Sequence, residues 1–281
     1  MTLTDTYTLA NGEKIPQVGF GTWQSKDGEE AYIAVKTALE AGYVHIDTAA
    51  AYGNEASVGR AIKESGIPRE KLFITTKLWG VGTTADAEAA LDASLERLGL
   101  DYVDLYLIHW PNPKEFRPNY KERNAAVWKG MEAGVRAGKA KSIGISNFHP
   151  HHIDALLETA EIMPMVNQIY VNPSDQQETL VAYNKAHDIL TEAYSPLGTG
   201  TIFTVRELDD IAAKYGKTVA QVVLRWSLDK GYLPLPKSVT PARIKENVEL
   251  FDFTLDAADI AAIDGLKGQA GQAKNPDEVD F

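Results

Sequence analysis

The sequence contains no cysteine, which excludes disulfide bonds and thiolate chemistry. It also lacks an excess of positive charge. Its 28 lysines and arginines face 39 aspartates and glutamates, for a formal net charge of −11. This balance opposes general binding of nucleic acids or anionic membranes, although a local basic cluster can still hold one small anionic ligand.

Two further absences concern the setting in which the protein works. The first residues, Met1 to Asp5, carry neither the charged segment nor the apolar segment of a secretory signal. No apolar run is long enough to span a bilayer. Apolar residues make up 44 % of the 281 positions, enough for a large core. We therefore expect a monomeric, cytoplasmic, globular protein that acts on small molecules, not on nucleic acids or membranes.

Strand-like and helix-like segments alternate along the chain. In the first helix-like segment, for example, Ala31, Ala34, Val35 and Ala38 recur at helical spacing. Eight strands, each followed by a helix, predict an α/β fold of the (β/α)8 or TIM-barrel type, with 1–281 as one domain. The predicted strands are 18–21, 44–47, 72–77, 103–109, 142–146, 165–170, 189–195 and 232–237.

An open doubly wound sheet is the alternative architecture. Such a sheet often carries a G-x-G-x-x-G phosphate-binding motif, and the run that begins at Gly19 lacks the third glycine. Before the barrel, residues 7–15 predict a β-hairpin with a two-residue turn at Asn11-Gly12. After the last strand, segments 244–251 and 256–266 predict extra C-terminal helices.

Polar residues stand where the predicted strands end, which is where barrel enzymes place catalytic groups. Asp47 ends the second strand, Lys77 the third and His109 the fourth, and Tyr52 lies just beyond Asp47. Plainer interpretations exist: a structural ion pair of Asp47 with Lys77, a hydrogen-bonded core histidine, a solvated tyrosine. The convergence of all four on one rim favours the functional interpretation.

These residue types together suit one kind of chemistry. Lys77 beside Tyr52 would depress the pKa of the phenol below its usual value of about 10, and Asp47 would keep Lys77 protonated. Tyr52 could then give a proton to an oxygen that becomes negative, while His109 orients a carbonyl group. The set is suited to reducing a carbonyl to an alcohol, with a hydride from a cofactor.

Other polar residues suit the binding of a dinucleotide. Tyr194 would stack on a flat heterocycle, and Lys237 and Arg243 supply cations for a phosphate at the far end. No two histidines have metal-ligand spacing with a third ligand, so we expect no metal site. The groups that could bind an amide are Ser146, Asn147 and Gln168.

At this point the sequence resembles a known family, the aldo-keto reductase superfamily, along nearly all its length. Within it, the chain is most similar to bacterial 2,5-diketo-D-gluconate reductases, including the ending at 276–280. The stretches that carry the resemblance are 42–49, 52–55, 76–79, 104–111, 143–148, 167–168, 194–198 and 236–241, together with Arg243, Glu246 and Asn247.

The resemblance implies a reductase that uses NADPH to reduce aldehydes and ketones, such as sugar-derived or small dicarbonyl compounds. Tyr52 matches the family's general acid, and Asp47, Lys77 and His109 complete its catalytic four. The implied contacts to the nicotinamide are Ser146, Asn147, Gln168 and Tyr194, and those to the pyrophosphate are Ser195, Leu197 and Gly198. Around the 2′-phosphate they are Lys237, Ser238, Thr240 and Arg243, with Val239 in the same stretch. Near the adenine they are Glu246 and Asn247. Implied substrate contacts are Trp23, Trp79 and Trp110, beside His109.

Two other functions remain open on the sequence. One is a barrel aldolase with Lys77 as Schiff-base nucleophile. It would need an unpaired lysine with a lowered pKa, and Asp47 argues against that. The other is a catalytically silent subunit that binds NADPH. Turnover of a carbonyl compound distinguishes the reductase from this second alternative.

Overall fold

The structure is a computed structural model that describes residues 2–281. It opens with the predicted hairpin, formed by β1 (Thr6–Thr8) and β2 (Lys14–Pro16). The turn differs from the prediction. The amide of Gly12 donates to the carbonyl of Leu9 at 2.8 Å, and the amide of Leu9 donates to Glu13 at 2.9 Å. Three residues therefore lie between the paired ends, and the glycine serves as the left-handed residue, with φ of 90°.

Eight parallel strands, hydrogen-bonded in chain order, form the wall of a barrel. All eight lie within two residues of the predicted bounds. They are β3 (Phe20–Gly21), β4 (His45–Asp47), β5 (Phe73–Leu78), β6 (Val103–Ile108), β7 (Ala140–Ser146), β8 (Val166–Tyr170), β9 (Leu190–Tyr194) and β10 (Leu233–Leu235).

Helices follow the strands and cover the outside of the wall. One helix follows each of the first six strands, and two follow each of the last two. They are α1 (Glu29–Glu40), α2 (Glu55–Glu64), α3 (Thr84–Leu98), α4 (Tyr120–Arg136), α5 (Pro150–Leu157), α6 (Glu178–Ala186), α7 (Glu207–Tyr215), α8 (Val219–Asp229), α9 (Pro241–Glu246) and α10 (Ala257–Asp264). The prediction of one helix over 244–251 was wrong in extent, because α9 begins at Pro241 and ends before the buried Val248.

Two backbone hydrogen bonds join the first strand to the last. The amides of Gly19 and Gly21 donate to the carbonyls of Pro234 and Pro236 at 3.2 and 3.0 Å. The sheet therefore closes on itself, and the open doubly wound alternative is wrong.

The interior of the barrel becomes more polar from its amino end to its carboxyl end. Side chains two residues apart on a strand face the same side, so β5 sends Phe73, Thr75 and Lys77 inward. Phe73 packs in an apolar cluster with Leu233 and other inward residues. Lys77, at the other end, is fully buried yet charged. Among residues 2–281, no helix has the length and apolar character needed to cross a membrane.

Candidate active site

The carboxyl ends of β4 and β5 bring three of the predicted catalytic residues into contact. The ammonium nitrogen of Lys77 donates to Asp47 Oδ1 at 2.7 Å, to the carbonyl of Thr48 at 2.9 Å and to the hydroxyl of Tyr52 at 3.2 Å. Lys77 is 0 % exposed and Asp47 3 %. The short helical turn Ala50–Tyr52 after β4 carries the tyrosine back over the lysine.

The electrostatics of this trio correct one prediction. Burial alone would lower the pKa of Lys77, but Asp47 and Tyr52 raise it above its usual value. Burial raises the pKa of Asp47, opposed by its contacts with Lys77 and Gln168. Burial also raises the pKa of Tyr52, and the opposing effect of Lys77 does not overcome it. The predicted net depression of the phenol's pKa was therefore wrong for the free protein.

Lys77 does not have the properties of a Schiff-base nucleophile. Such a lysine needs a free, uncharged amine. Here the nitrogen has three oxygen partners and a raised pKa. The aldolase alternative is therefore not supported.

His109 lies directly beside Tyr52, with ring centroids 5.5 Å apart and an edge-to-face arrangement. Burial, together with the charge of Lys77, lowers its pKa well below the ordinary value. The imidazole is therefore neutral at pH 7 and can donate one hydrogen bond. Its Nδ1 has no partner among residues 2–281.

A buried carboxyl group, that of Glu192, lies beneath the trio, and the sequence analysis did not identify it. The amide nitrogen of Gln168 donates to Asp47 at 2.8 Å and to Glu192 at 2.7 Å. The other oxygen of Glu192 lies 3.6 Å from His45 Nε2. Burial and the nearby Asp47 raise the pKa of Glu192 to about 8, whereas burial and Lys77 lower that of His45 to about 3. The one available signal was a lone carboxylate facing inward on a buried strand.

The predicted amide-binding residues form one hydrogen-bonded chain. Ser146 Oγ donates to the carbonyl of Gln168 at 2.8 Å, and Asn147 Nδ2 donates to Ser146 Oγ at 3.1 Å and to the carbonyl of His109 at 3.0 Å. The hydroxyl of Tyr194 donates to Asn147 Oδ1 at 2.8 Å. These hydrogen bonds fix the position of the Tyr194 ring relative to the side-chain amide of Asn147.

A groove of about 500 Å³ runs from this point across the rim towards α9. Lys237 and Arg243 line it, and neither forms an ion pair among residues 2–281. Val239 and Thr240 lie outside the lining. The predicted cofactor residues that line the groove are Tyr194, Ser195, Leu197, Lys237, Ser238, Arg243, Glu246 and Asn247. Lining residues that were not predicted include Gln24, Thr218 and Pro236.

Backbone conformations that are rare for residues other than glycine cluster at the same rim. Gln24, Asn147, Ser195 and Thr199 all have positive φ, between 47° and 62°. All four line the groove or the adjoining cavity. Such conformations cost free energy and concentrate at ligand sites, where the surrounding structure holds them in place.

The adjoining cavity, of about 600 Å³, is lined by Tyr52, the one member of the trio that reaches it. It shares Trp23, Tyr194 and Ser195 with the groove, so the two spaces meet there. Its predicted lining residues are Trp23, Tyr52, Trp79, His109, Trp110, Ser146, Asn147, Gln168, Tyr194, Ser195 and Gly198. Lining residues that were not predicted are Tyr170, Lys274 and Phe281, among others.

One cluster in residues 2–281 has the donor types of a metal site. His151 and His152 place ring nitrogens 3.2 and 2.9 Å from Asp277, a third ligand type that the sequence did not reveal. However, Nδ1 of His152 accepts a hydrogen bond from the amide of His149, so its proton lies on Nε2 and is donated to Asp277. The arrangement therefore fastens the C-terminal segment to α5.

Comparisons with known proteins identify the family. Residues 17–267 match the model of the Aldo/keto reductase family. Methylglyoxal reductase DkgA of Escherichia coli (strain K12) is 46 % identical over 97 % of this chain and 96 % of its own. Glyoxal reductase of Bacillus subtilis (strain 168) is 46 % identical over 99 % of both chains.

Solved structures show the same likeness. An aldo-keto reductase enzyme from a Medee basin deep-sea metagenome library is 42 % identical, with a TM-score of 0.92 over 98 % of this chain and 100 % of that one. The aldo-keto reductase of Bombyx mori, in complex with NADP, is 39 % identical, with a TM-score of 0.86 over 96 % and 95 %. Because the family model spans nearly the whole barrel and the relatives match from end to end, this chain belongs to the aldo/keto reductase family of NADP-dependent oxidoreductases, which reduce carbonyl groups.

Proposed function

We propose that this chain reduces small aldehydes and ketones to alcohols with NADPH, and that Tyr52 is the general acid. Sugar-derived and small dicarbonyl compounds are the proposed substrates, since relatives that match end to end are named for glyoxal and methylglyoxal. The observation that carries the proposal is the contact of 3.2 Å between Tyr52 and the buried Lys77, beside the meeting point of the two cavities.

The residues of the groove fit the cofactor. Lys237 and Arg243, which have no carboxylate partner among residues 2–281, suit the 2′-phosphate that distinguishes NADPH from NADH. At the other end, Tyr194 offers an aromatic face, and Asn147 and Gln168 offer amide groups to the nicotinamide carboxamide. When bound, NADPH supplies the hydride.

Tyr52 gives the proton that the reduced carbonyl oxygen needs. Its raised pKa keeps the phenol protonated throughout the neutral range, which is the form that reduction requires. An alkoxide is a much stronger base than a phenolate, so the proton moves downhill to the developing oxyanion. Lys77 stabilises the phenolate that is left, and Asp47 holds Lys77 in place and charged.

His109 positions the substrate carbonyl. It is neutral at pH 7, so it can donate one hydrogen bond without competing with Tyr52 as an acid. Its ring lies between those of Tyr52 and Trp79, in edge-to-face contact with both. The aromatic walls, to which Trp110 and Phe281 contribute, exclude water from the reacting atoms.

The proposal is tested by following NADPH oxidation with a panel of carbonyl compounds. Glyoxal, methylglyoxal and keto-sugars are expected to be reduced, and NADH is expected to be a poor substitute. Binding of NADPH without turnover of any compound would contradict the proposal and favour the silent-subunit alternative.

We further propose that the protein acts as a monomer in the cytoplasm. Every side chain of the site comes from one chain, so no second copy is needed to complete it. Light scattering coupled to gel filtration tests the first part. Immunoblotting of fractionated cells tests the second.

A further inference from the structure

Glu192 lies inside the barrel, one layer beneath the site. It is 0 % exposed and stands two residues before Tyr194 on β9, so both side chains face the same side of the strand. In the parallel register it lies opposite Gln168 of β8. None of the roles described above uses it.

The surroundings of Glu192 determine its charge. The titratable groups near it are His45 and Asp47 from β4, Lys77 from β5 and Tyr52 from the turn after β4. Its neighbour on β10 is the apolar Leu233. Lys77 is already paired with Asp47 at 2.7 Å. A second buried carboxylate would have no cation of its own, which is very unfavourable. Glu192 therefore holds a proton at neutral pH, in agreement with its pKa of about 8.

The side-chain amide of Gln168 has two hydrogens, and both are used inside the barrel. One is donated to Asp47 at 2.8 Å and the other to Glu192 at 2.7 Å. A carboxylate only accepts, so Asp47 decides which end of the amide faces it. The carbonyl oxygen of Gln168 is the group left to face the cavity that this residue lines.

We propose that Glu192 is a positioning residue for the nicotinamide site, whose uncharged carboxyl group accepts the second hydrogen of Gln168 and so, together with Asp47, holds the carbonyl oxygen of that amide in place as a hydrogen-bond acceptor for the carboxamide. The inference rests on the proposed use of NADPH. It adds a residue, inside the barrel, that acts through Gln168 and touches neither substrate nor cofactor.

Ionisation of Glu192 would change the site in two ways. It would add a negative charge inside the barrel, close enough to act on Tyr52, which favours the cationic nicotinamide of NADP+ over the neutral ring of NADPH. It would also draw Gln168 away from Asp47, since a carboxylate accepts more strongly than a carboxylic acid. The relative affinity for the two cofactor forms therefore depends on pH through this residue.

The test compares three variants of the full chain. Glu192→Gln keeps an uncharged acceptor and a donor in nearly the same shape. Glu192→Leu removes the acceptor and leaves one hydrogen of Gln168 unpaired. Thr191→Val is the matched control, because it removes another buried hydrogen bond of β9, the one of 3.1 Å that Thr191 Oγ accepts from Asn184 of α6. Dissociation constants for NADPH and NADP+ are measured by quenching of tryptophan fluorescence.

At pH 6.5 we expect Glu192→Gln to bind NADPH within about twofold of wild type, and Glu192→Leu about tenfold more weakly, as for a buried donor without a partner. Thr191→Val is expected to match wild type. In wild type the ratio of the NADP+ to the NADPH dissociation constant should fall as the pH rises through about 8, and in Glu192→Gln it should stay constant. Infrared spectra should show a carboxylic-acid carbonyl band that Glu192→Gln loses.

Three results would overturn the inference. Glu192→Leu could fold and bind NADPH as tightly as wild type. Glu192→Gln could bind as weakly as Glu192→Leu, which would mean that a charged carboxylate is needed. Thr191→Val could lose as much affinity, which would assign the effect to strand packing. A wild-type protein that bound NADPH and reduced no carbonyl would instead refute the proposed function and leave this test intact.

Discussion

The phenol oxygen of Tyr52 lies 3.2 Å from the ammonium nitrogen of Lys77, inside a barrel mouth where the lysine is completely buried. The two residues come from different elements, the turn after β4 and the end of β5. Burial keeps the phenol protonated, and the ammonium is in place before any phenolate forms. In the proposed reaction the acid is therefore the pair, not the tyrosine alone.

Replacing Tyr52 by Phe is expected to lower kcat for carbonyl reduction by 10²-fold or more, on the order of the usual contribution of a positioned general acid. The dissociation constant for NADPH should change little, because the hydroxyl faces the substrate cavity. Tyr32→Phe is the control, since the hydroxyl of Tyr32 donates a hydrogen bond to the surface residue Glu64. Steady-state kinetics and fluorescence titration check both values, and a parallel loss of NADPH binding would contradict the assigned role.

Replacing Lys77 by Met is expected to destabilise the protein by roughly 3–5 kcal/mol, because Asp47 is left buried without its cation. The double variant Asp47→Asn/Lys77→Met removes both charges and should recover most of that loss. Both variants should be inactive, since the phenolate of Tyr52 would have no cation beside it. Urea unfolding and kinetic assays measure the two effects, and an active double variant would contradict the mechanism.

Replacing Lys237 or Arg243 by Ala is expected to weaken NADPH by about 10- to 100-fold, on the order expected for a lost charge-assisted hydrogen bond, and to leave NADH nearly unchanged. Lys245→Ala is the matched control on the same helix, because that exposed lysine does not line the groove. Titrations with both nucleotides provide the measurement. Equal weakening of NADH would show that the cluster does not read the 2′-phosphate.

The pH profile of kcat/KM for reduction is expected to be flat through pH 6.5. An ordinary histidine would titrate there, but the pKa of His109 lies well below this value, so the imidazole is neutral on both sides of it. With NADPH kept at saturation, so that the ionisation of Glu192 does not limit cofactor binding, activity should fall in the alkaline range, above the ordinary tyrosine pKa of 10, as Tyr52 ionises. An inflection near pH 6.5 that disappears in His109→Gln would contradict the neutral assignment.

The stability of Glu192→Gln relative to wild type is expected to increase with pH. The pKa of Glu192 is raised from 4.5 to about 8 on folding, so between these values the native state binds a proton that the unfolded chain lacks. Its contribution to stability is complete below pH 4.5 and is lost as the pH rises through 8. Over that window the difference should shift by a few kcal/mol towards the variant. Urea unfolding at several pH values provides the test.

The histidine beside Glu192 does not disturb that comparison. The pKa of His45 is lowered to about 3, so its effect on stability has the opposite sign and acts below pH 6.5. It is present in both proteins and cancels in the difference. A difference that stayed constant from pH 5 to pH 9 would show that Glu192 titrates normally.

The strands, and the meeting of the proposed catalytic residues at one rim, could be predicted from the sequence because they depend on periodic, local signals. A buried run that ends in a polar residue marks both the strand and its carboxyl end, as at Asp47, Lys77 and His109. The turn of the hairpin was harder, since Asn11-Gly12 suits both two-residue and three-residue loops, and only the pairing of Leu9 with Glu13 decides between them.

The pKa shifts could not be predicted from the sequence, because they depend on how deeply each group is buried in the barrel. The effect of Lys77 on Tyr52 was anticipated, but not the larger effect of burial. Glu192 carries no local signal beyond an acid in a strand, and its partners Gln168 and His45 come from distant parts of the chain. Such networks become visible only when the barrel has placed its interior side chains in layers.

The closure of the barrel has a consequence for heat tolerance. Pro234 and Pro236 accept the amides of Gly19 and Gly21 but cannot donate in return, so this seam is held from one side only. The groove crosses this seam, with Trp23 and Gln24 on the side of the first strand and Lys237 on the side of the last. A dinucleotide bound in the groove would contact both sides of this seam and so stabilise the closed barrel where few backbone hydrogen bonds hold it. The melting temperature of the protein should therefore report how well it is supplied with cofactor.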